Sequence, residues 1–426
     1  MRFAAPADPE LFEPSLAPPE PRSPSRSPIA TTDPHDRRER LARLRGVLRL
    51  TRAGVELAAD IAEDVHAAIA APLAIIDDMP AVRAARKIHD GVRSGVYTCI
   101  RAVNRLLFDT LDRALNIAGP AIAPPEIPGP LVGLLHGILG DRLTRTRNPL
   151  RTAMHLRHRG RRLVLSRSDL ATLLPRGDAA RLVVFVHGLA ADETCWRRGA
   201  ARSFGRPDVD YGDLLAASHG VTPLYLRYNS GLRISANGRA LADLLRRLYT
   251  NLPGPPPPLV LVGHSMGGLV VRSACHHASQ RGDAWAASLT DIVCLGAPHR
   301  GSYLEQFGVA ATAALHALPV TAPIARTIDL RSAGIKDLRH GTTRDAPGEE
   351  ARLPHARYHD LAGKLRTPSF AWVVGDGLVR PRSAAPDDPA IHRTTHAGVG
   401  HVAMLAHPTI LAHLAEILGP ALAARP

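Results

Sequence analysis

The residues that most constrain this 426-residue chain are 259–279, which read LVLVGHSMGGLVVRSACHHAS. Leu259 to Val262 form a short, continuously apolar run, and Met266 to Ser279 carry a helical pattern, with Gly263-His264-Ser265-Met266-Gly267-Gly268 at the junction. Little chain is left in which to turn from strand to helix. A turn that tight holds its central residue in strained backbone geometry and leaves no room for side chains on either flank, hence the glycines. The bare pattern G-x-S-x-G would arise by chance in a chain this long on the order of one time in ten at ordinary glycine usage. An idle glycine turn is therefore the bland alternative, and the position between an apolar strand and a helix is what counts against it.

The same texture surrounds this junction. RRLVLS (161–166), RLVVFVHGL (181–189), PLYLRY (223–228), DIVCLGAP (291–298), YHDLAG (358–363) and FAWVVG (370–375) read as strands, and 237–249 reads as a helix. Continuously apolar strands separated by helices imply a mostly parallel sheet covered on both faces, an α/β architecture. No fixed-period repeat is present, which excludes a solenoid.

A serine lifted clear of the backbone at a helix N-terminus can act as a nucleophile, provided that a base takes its proton and an acid orients the base. The helix dipole there favours a developing oxyanion. One oxyanion donor is expected from the backbone N–H of Met266, and the second from the turn after VVFV, where His187-Gly188-Leu189 offers the N–H of Leu189. In a strand–turn–helix site of this kind the acid and then the histidine follow the serine in the chain. Asp376 in VVGDGLV ends an apolar run between two glycines and is the leading acid; Asp360 and the Asp387–Asp388 pair are weaker candidates. His401 in AGVGHVAML lies on a glycine loop before the last helix, ahead of His392, His396, His407 and His413 as the base. His264, Pro298 and His299 are expected to line the site.

GHSMGG, VHGL, LGAPHRGS, GDGLV and GVGHVAML together resemble the lipase and esterase branch of the α/β-hydrolase superfamily, in a bacterial lipase-like group that is also similar to the PGAP-type GPI-inositol deacylases. The resemblance covers about 160–426. It implies an α/β-hydrolase fold, a Ser265–His401–Asp376 triad, and an oxyanion hole from Leu189 and Met266. It also implies a carboxylic-ester substrate, a small molecule or a lipid, cleaved through an acyl-enzyme without metal or organic cofactor. Two departures stand out: Ala297 replaces a threonine of the relatives' pattern, and Arg380-Pro381-Arg382 follows GDGLV where apolar or small residues are usual. An acyltransferase or thioesterase would use the same residues, and a non-catalytic scaffold on the same fold stays open.

Residues 1–38 are rich in Pro, Ser and charge and are expected to be disordered. Region 39–145 is expected to be helical. Leu50, Gly54, Leu57, Ile61, Val65 and Ala68 mark one helix face, and Val92, Val96, Ile100, Val103, Leu107 and Leu111 a second. The two are expected to pack on each other or on the body, before prolines 120–130 end the region. The enzyme domain then spans 146–426, with 303–354 as a helical cap insertion that would set substrate access.

The formal charge of +14 is spread along the chain among acids, and aromatics make up only 4%, which argues against nucleic-acid binding. A basic surface leaves peripheral contact with an anionic membrane open. Oligomeric state is open as well, since no sustained heptad compels assembly. The cysteines at 99, 195, 275 and 294 show no CxxC or metal-like spacing. With no signal-peptide pattern and no apolar run of membrane-spanning length, a cytoplasmic location is expected.

Overall fold

A computed structural model of the chain describes residues 34–70, 80–118, 127–173, 181–301, 332–338, 341, 343–344, 351–365, 376, 378–379, 381–384 and 388–419. The Pro-rich segment 1–33, most of the expected cap (302–331) and the run FAWVVG lie outside the described residues. In chain order the elements are α1 (Pro34–Ala70), α2 (Pro80–Ala118), α3 (Gly129–Arg145), β1 (His155–His158), β2 (Arg161–Arg162), α4 (Arg167–Leu170) and β3 (Leu182–Val186). Next come α5 (Ala200–Phe204), α6 (Tyr211–His219), β4 (Thr222–Arg227), α7 (Ile234–Asn251), β5 (Leu259–His264), α8 (Met266–Arg281) and β6 (Leu289–Leu295). The chain ends with α9 (Ala333–Asp337), β7 (Arg357–Lys364), α10 (Pro381–Ala384), β8 (Ile391–Ala397) and α11 (Pro408–Leu418).

The strands form one eight-stranded sheet in the order β2-β1-β4-β3-β5-β6-β7-β8. The β1–β2 and β1–β4 pairs are antiparallel, and every pair from β4 to β8 is parallel. Alternation along each central strand feeds two cores. Leu182, Val184, Val186, Leu259 and Leu261 face α7 and α8, where Leu245, Leu248, Leu269, Val270 and Trp285 complete one cluster. Val183, Phe185, Val260 and Val262 face the other way, onto Trp196, Tyr211, Leu215, Ile410 and Leu414. Burial on both faces explains why these strands read as unbroken apolar runs.

Two edge segments depart from the sequence reading. The run 161–166 contributes only Arg161–Arg162 to the sheet, because the Ser166 hydroxyl accepts the Asp169 N–H at 3.2 Å and caps α4 instead. β8 (IHRTTHA) was not legible as a strand, for it closes the sheet as an edge and buries only Ile391; such a strand needs little apolar sequence.

In the N-terminal region the two long helices do pack on each other, but not through the α2 face the pattern singles out. Val92, Val96, Ile100, Val103, Leu107 and Leu111 are all exposed. The contact with α1 is made by the opposite side of α2. Arg45 on α1 pairs with Asp112 at 2.6 Å, Arg52 with Asp109 at 2.6 Å, Glu56 with Arg105 at 2.9 Å and Glu63 with Arg101 at 2.8 Å. α1 itself meets the body at Gly46, whose carbonyl accepts the Asn148 side-chain N–H at 3.1 Å. The third helix, α3, follows the prolines expected to end the region. It belongs with the body: its buried side is Val132, Gly133, His136, Gly137, Gly140 and Leu143.

Candidate active site

β5 carries the chain to Ser265, which has φ 54° and ψ −125° and is, among the described residues, one of four non-glycine residues with positive φ. An L-residue with a Cβ is not held in this conformation unless its surroundings over-determine it. The determinants are visible. A Cβ built on Gly263 would sit 2.5 Å from the Gly268 nitrogen, and one on Gly267 would sit 2.3 Å from the Val186 carbonyl oxygen. The Ser265 N–H donates to the Leu295 carbonyl at 2.8 Å. Met266 opens α8, so its N–H is among the first donors of that helix, which have no partner within the helix itself.

Asp376 and His401 lie on the loops after β7 and β8. His401 Nδ1 is 2.7 Å from Asp376 Oδ2, and both side chains are almost fully buried. The second carboxylate oxygen accepts the N–H groups of Leu378 at 3.0 Å and Val379 at 2.8 Å. The His401 N–H donates to the Asp376 carbonyl at 2.9 Å, so backbone and side chain of the pair are both held. His264, the neighbour of Ser265, donates from Nε2 to the His401 carbonyl at 3.0 Å, which ties the elbow to the histidine loop. A Cβ on Gly296 would lie 3.1 Å from both His401 Nδ1 and Asp376 Oδ2, one residue beyond the carbonyl that holds Ser265. The Ser265 backbone and the Asp376–His401 pair thus both lie at the end of β6, although the residues are separated by up to 136 positions in the chain. Burial pushes the His264 pKa down to about 3, so this ring stays neutral beside His401.

The turn after β3 lies against the serine: a Cβ on Gly188 would be 3.0 Å from that of Ser265. Leu189, partly buried against the core, follows it. Ala190 has φ 57°, and its N–H donates to the Ser230 hydroxyl at 3.1 Å. His187 is wholly buried and stacks on Tyr228 with ring centroids 4.4 Å apart. Its Nδ1–H donates to the Gly188 carbonyl at 2.9 Å, and the Tyr228 hydroxyl donates to the His187 carbonyl at 2.8 Å. Burial lowers its pKa to about 4, and Nε2 has no hydrogen-bond partner among the described residues. The sequence reading missed Ser230, Tyr228 and α3, which brace this turn. A Cβ on Gly137 of α3 would lie 2.5 Å from that of Ala190, and Asn229 donates to the Gly140 carbonyl at 2.8 Å. The turn-forming Asn229-Ser230-Gly231 after β4 was the available signal.

Pro298 is buried, and the His299 ring is engaged on both nitrogens. Arg272 donates to Nδ1 at 2.8 Å, and Nε2–H donates to Asp360 Oδ1 at 3.0 Å. Cys294, His299 and Asp360 place donor atoms within 4.8 Å of one another. A metal ion held at Nε2 would replace the His299–Asp360 hydrogen bond and put the ring proton on Nδ1, facing the Arg272 guanidinium, which has no lone pair to accept it. A cavity of about 770 Å³ lies elsewhere, over the β1–β4 edge, and none of the residues around Ser265 lines it. Two of its cations are paired: Arg227 with Glu193 at 2.5 Å and Arg197 with Asp210 at 3.4 Å.

The sheet order, the strained serine between β5 and α8, and an Asp–His pair on the loops after β7 and β8 occur together in one architecture. The chain has an α/β-hydrolase fold. Residues 179–332 match the family model described as PGAP1-like alpha/beta domain, so the resemblance seen in the motifs is found independently. No curated protein matches the chain. Among solved structures it is similar to the Bacillus licheniformis lipase BlEst2 in mature form, at 18% identity over 58% of this chain and 95% of that one, with a TM-score of 0.42. It is also similar to Aspergillus fumigatus lipase B, at 15% identity over 62% of this chain and 61% of that one, with a TM-score of 0.34. The sheet order and the elbow, not these likenesses, carry the fold. Among the described residues, no helix is long and apolar enough to cross a membrane.

Proposed function

We propose that the chain is a serine hydrolase of carboxylic esters, with Ser265 as nucleophile, His401 as general base and Asp376 as the group that orients it. The Asp376 carboxylate accepts a hydrogen bond from His401 Nδ1–H, which leaves Nε2 as the nitrogen that would accept the Ser265 proton. The serine oxygen then adds to the ester carbonyl, and the oxyanion is held by the N–H groups of Leu189 and Met266. His401 returns the proton to the departing alcohol. Water repeats the sequence on the acyl-enzyme, releasing the acid and restoring the serine. Every group needed is a side chain or backbone amide of this chain.

The observation that carries this reading is the backbone of Ser265. Holding a non-glycine residue at positive φ costs on the order of 1–3 kcal/mol, and it is sensible where the hydroxyl must stand clear of its own backbone. Hydrolysis of p-nitrophenyl esters from C2 to C16 by wild type and Ser265→Ala tests it, beside fluorophosphonate labelling. Labelling at Ser265 with turnover lost in the variant is expected. A wild type that hydrolyses none of these esters and leaves Ser265 unlabelled would remove the proposal.

A further inference from the structure

α2 presents to solvent what a helix normally hides. Ile88, Val92, Val96, Ile100, Val103, Leu106, Leu107, Leu111 and Ile117 are 40–84% exposed, while Asn104, on the side facing α1, is buried and donates to the Arg52 carbonyl at 3.1 Å. The charged side of the helix is spent on α1 through Arg101, Arg105, Asp109 and Asp112. An amphipathic helix that ion-pairs inward and shows its apolar stripe outward is stable only if something covers the stripe.

We propose that the cover is a second copy of this chain, with α2 packed antiparallel on α2 about a two-fold axis near Cys99. Area supports it. The helix has 39 residues and is therefore about 58 Å long, and nine large, half-exposed side chains along it supply the scale of about 800 Å² per partner that a standard interface buries. Spacing supports it as well. On the helix as it stands, Val92, Val96, Cys99, Val103, Leu106 and Thr110 follow alternating steps of four and three, the rhythm of a helix–helix seam. Cysteine and threonine in two of those places hide the rhythm from a simple apolar reading.

The composition of the stripe argues for a helix rather than a lipid surface. It is made of β-branched and leucine side chains with Gly91, Gly95 and Ala102 between them, and it carries no Trp, Tyr or Phe, which membrane-lying helices favour beside Lys and Arg flanks. Orientation follows from where the body lies. Arg45 and Arg52, close in α1 to the Gly46 contact with the body, pair with Asp112 and Asp109 near the C-terminal end of α2. The N-terminal half of α2 therefore points away from the body, and an antiparallel pair sets the two bodies at opposite ends. Cys99 is the midpoint of Pro80–Ala118, so an axis there makes the contact closed and self-complementary.

The chain carries its own reporter, since Cys99 is exposed whereas Cys195, Cys275 and Cys294 are buried. Light-scattering mass across a concentration series should give twice the 45.6 kDa of one chain. A short bis-maleimide should form a covalent dimer in wild type and none in Cys99→Ser. Val96→Glu with Val103→Glu, both on the exposed surface, should weaken the dimer by about a hundredfold or more and abolish the cross-link. An unchanged circular dichroism spectrum and melting temperature would show that the variant is folded. A wild type that keeps the mass of one chain throughout overturns the proposal, as does a cross-link that the glutamates leave intact. A monomer that floats with phosphatidylcholine–phosphatidylglycerol vesicles, and loses this with the glutamates, would assign the face to lipid and also overturn it.

Discussion

The body and the N-terminal hairpin use opposite means to hold helices in place. In the body, α7 and α8 lie on the sheet through leucines and valines with almost no exposure, and the buried polar groups of the site, Asp376 and His264, are hydrogen-bonded. In the hairpin, α1 and α2 meet through arginine–carboxylate pairs, and the large apolar side chains face out. Surface ion pairs are worth little each, whereas apolar burial dominates folding. The body therefore covers its central strands and helices with its own elements, whereas the hairpin leaves the apolar face of α2 open to solvent. The difference teaches that an apolar stripe in sequence marks a surface that must be covered, without saying by what.

The sharpest way to break this comparison is chemical. Ser265→Ala should lower ester turnover by about 10⁴-fold or more with little change in melting temperature, whereas Val96→Glu/Val103→Glu should leave turnover per chain unaltered. Equal losses in both would mean that the hairpin is part of the catalytic unit.

Glycines give the next test, because the two regions use them differently. Gly267→Ala places a Cβ 2.3 Å from a backbone oxygen in the body, and the strand or helix must shift; a loss of about 3 kcal/mol or more, or no folded protein, is expected by denaturant titration. Gly95→Ala in α2 meets nothing within 4 Å. It should instead stabilise helix α2 by about 0.5–1 kcal/mol, seen as slower hydrogen exchange in that helix, provided that a second copy does not need the close approach.

Acid should separate the regions too. His187 and His264 are held neutral in the fold, with pKa values of about 4 and about 3, while the unfolded chain protonates them near 6.5. The unfolded state thus binds more protons as pH falls below about 6.5, so stability of the body drops toward pH 4, by about 1.4 kcal/mol per unit and histidine. The hairpin carboxylates Asp112 and Glu56 are held below their usual values by arginine partners. Their contribution is present above the unfolded carboxylate range and is lost only as pH falls through that range and below. Melting curves between pH 7 and 4 should therefore fall for the body first, and a flat profile there would refute the neutral-histidine core. The smallest effect is Arg45→Ala, about 0.2–1 kcal/mol for the loss of the partly exposed pair with Asp112, measured by the same titration.

Local sequence determined a good deal of this protein by itself. Leu182–Val186 and Leu259–Leu261 read as strands buried on both faces, and a serine between Gly263 and Gly267 directly before a helix read as an elbow in preference to an idle turn, because these readings depend on neighbours in the chain. Asp376 and His401 were legible as positions on loops, and their pairing at 2.7 Å was not. Polar β8 and the brace of α3, Tyr228 and Ser230 on the turn after β3 left too little local pattern to be read. Only the tertiary structure decided which side of α2 meets α1. Periodicity shows that a helix has an apolar face, but the face that ends up inside depends on the total of ion pairs, close contacts and buried area offered by every surface within reach, and that sum exists only in three dimensions.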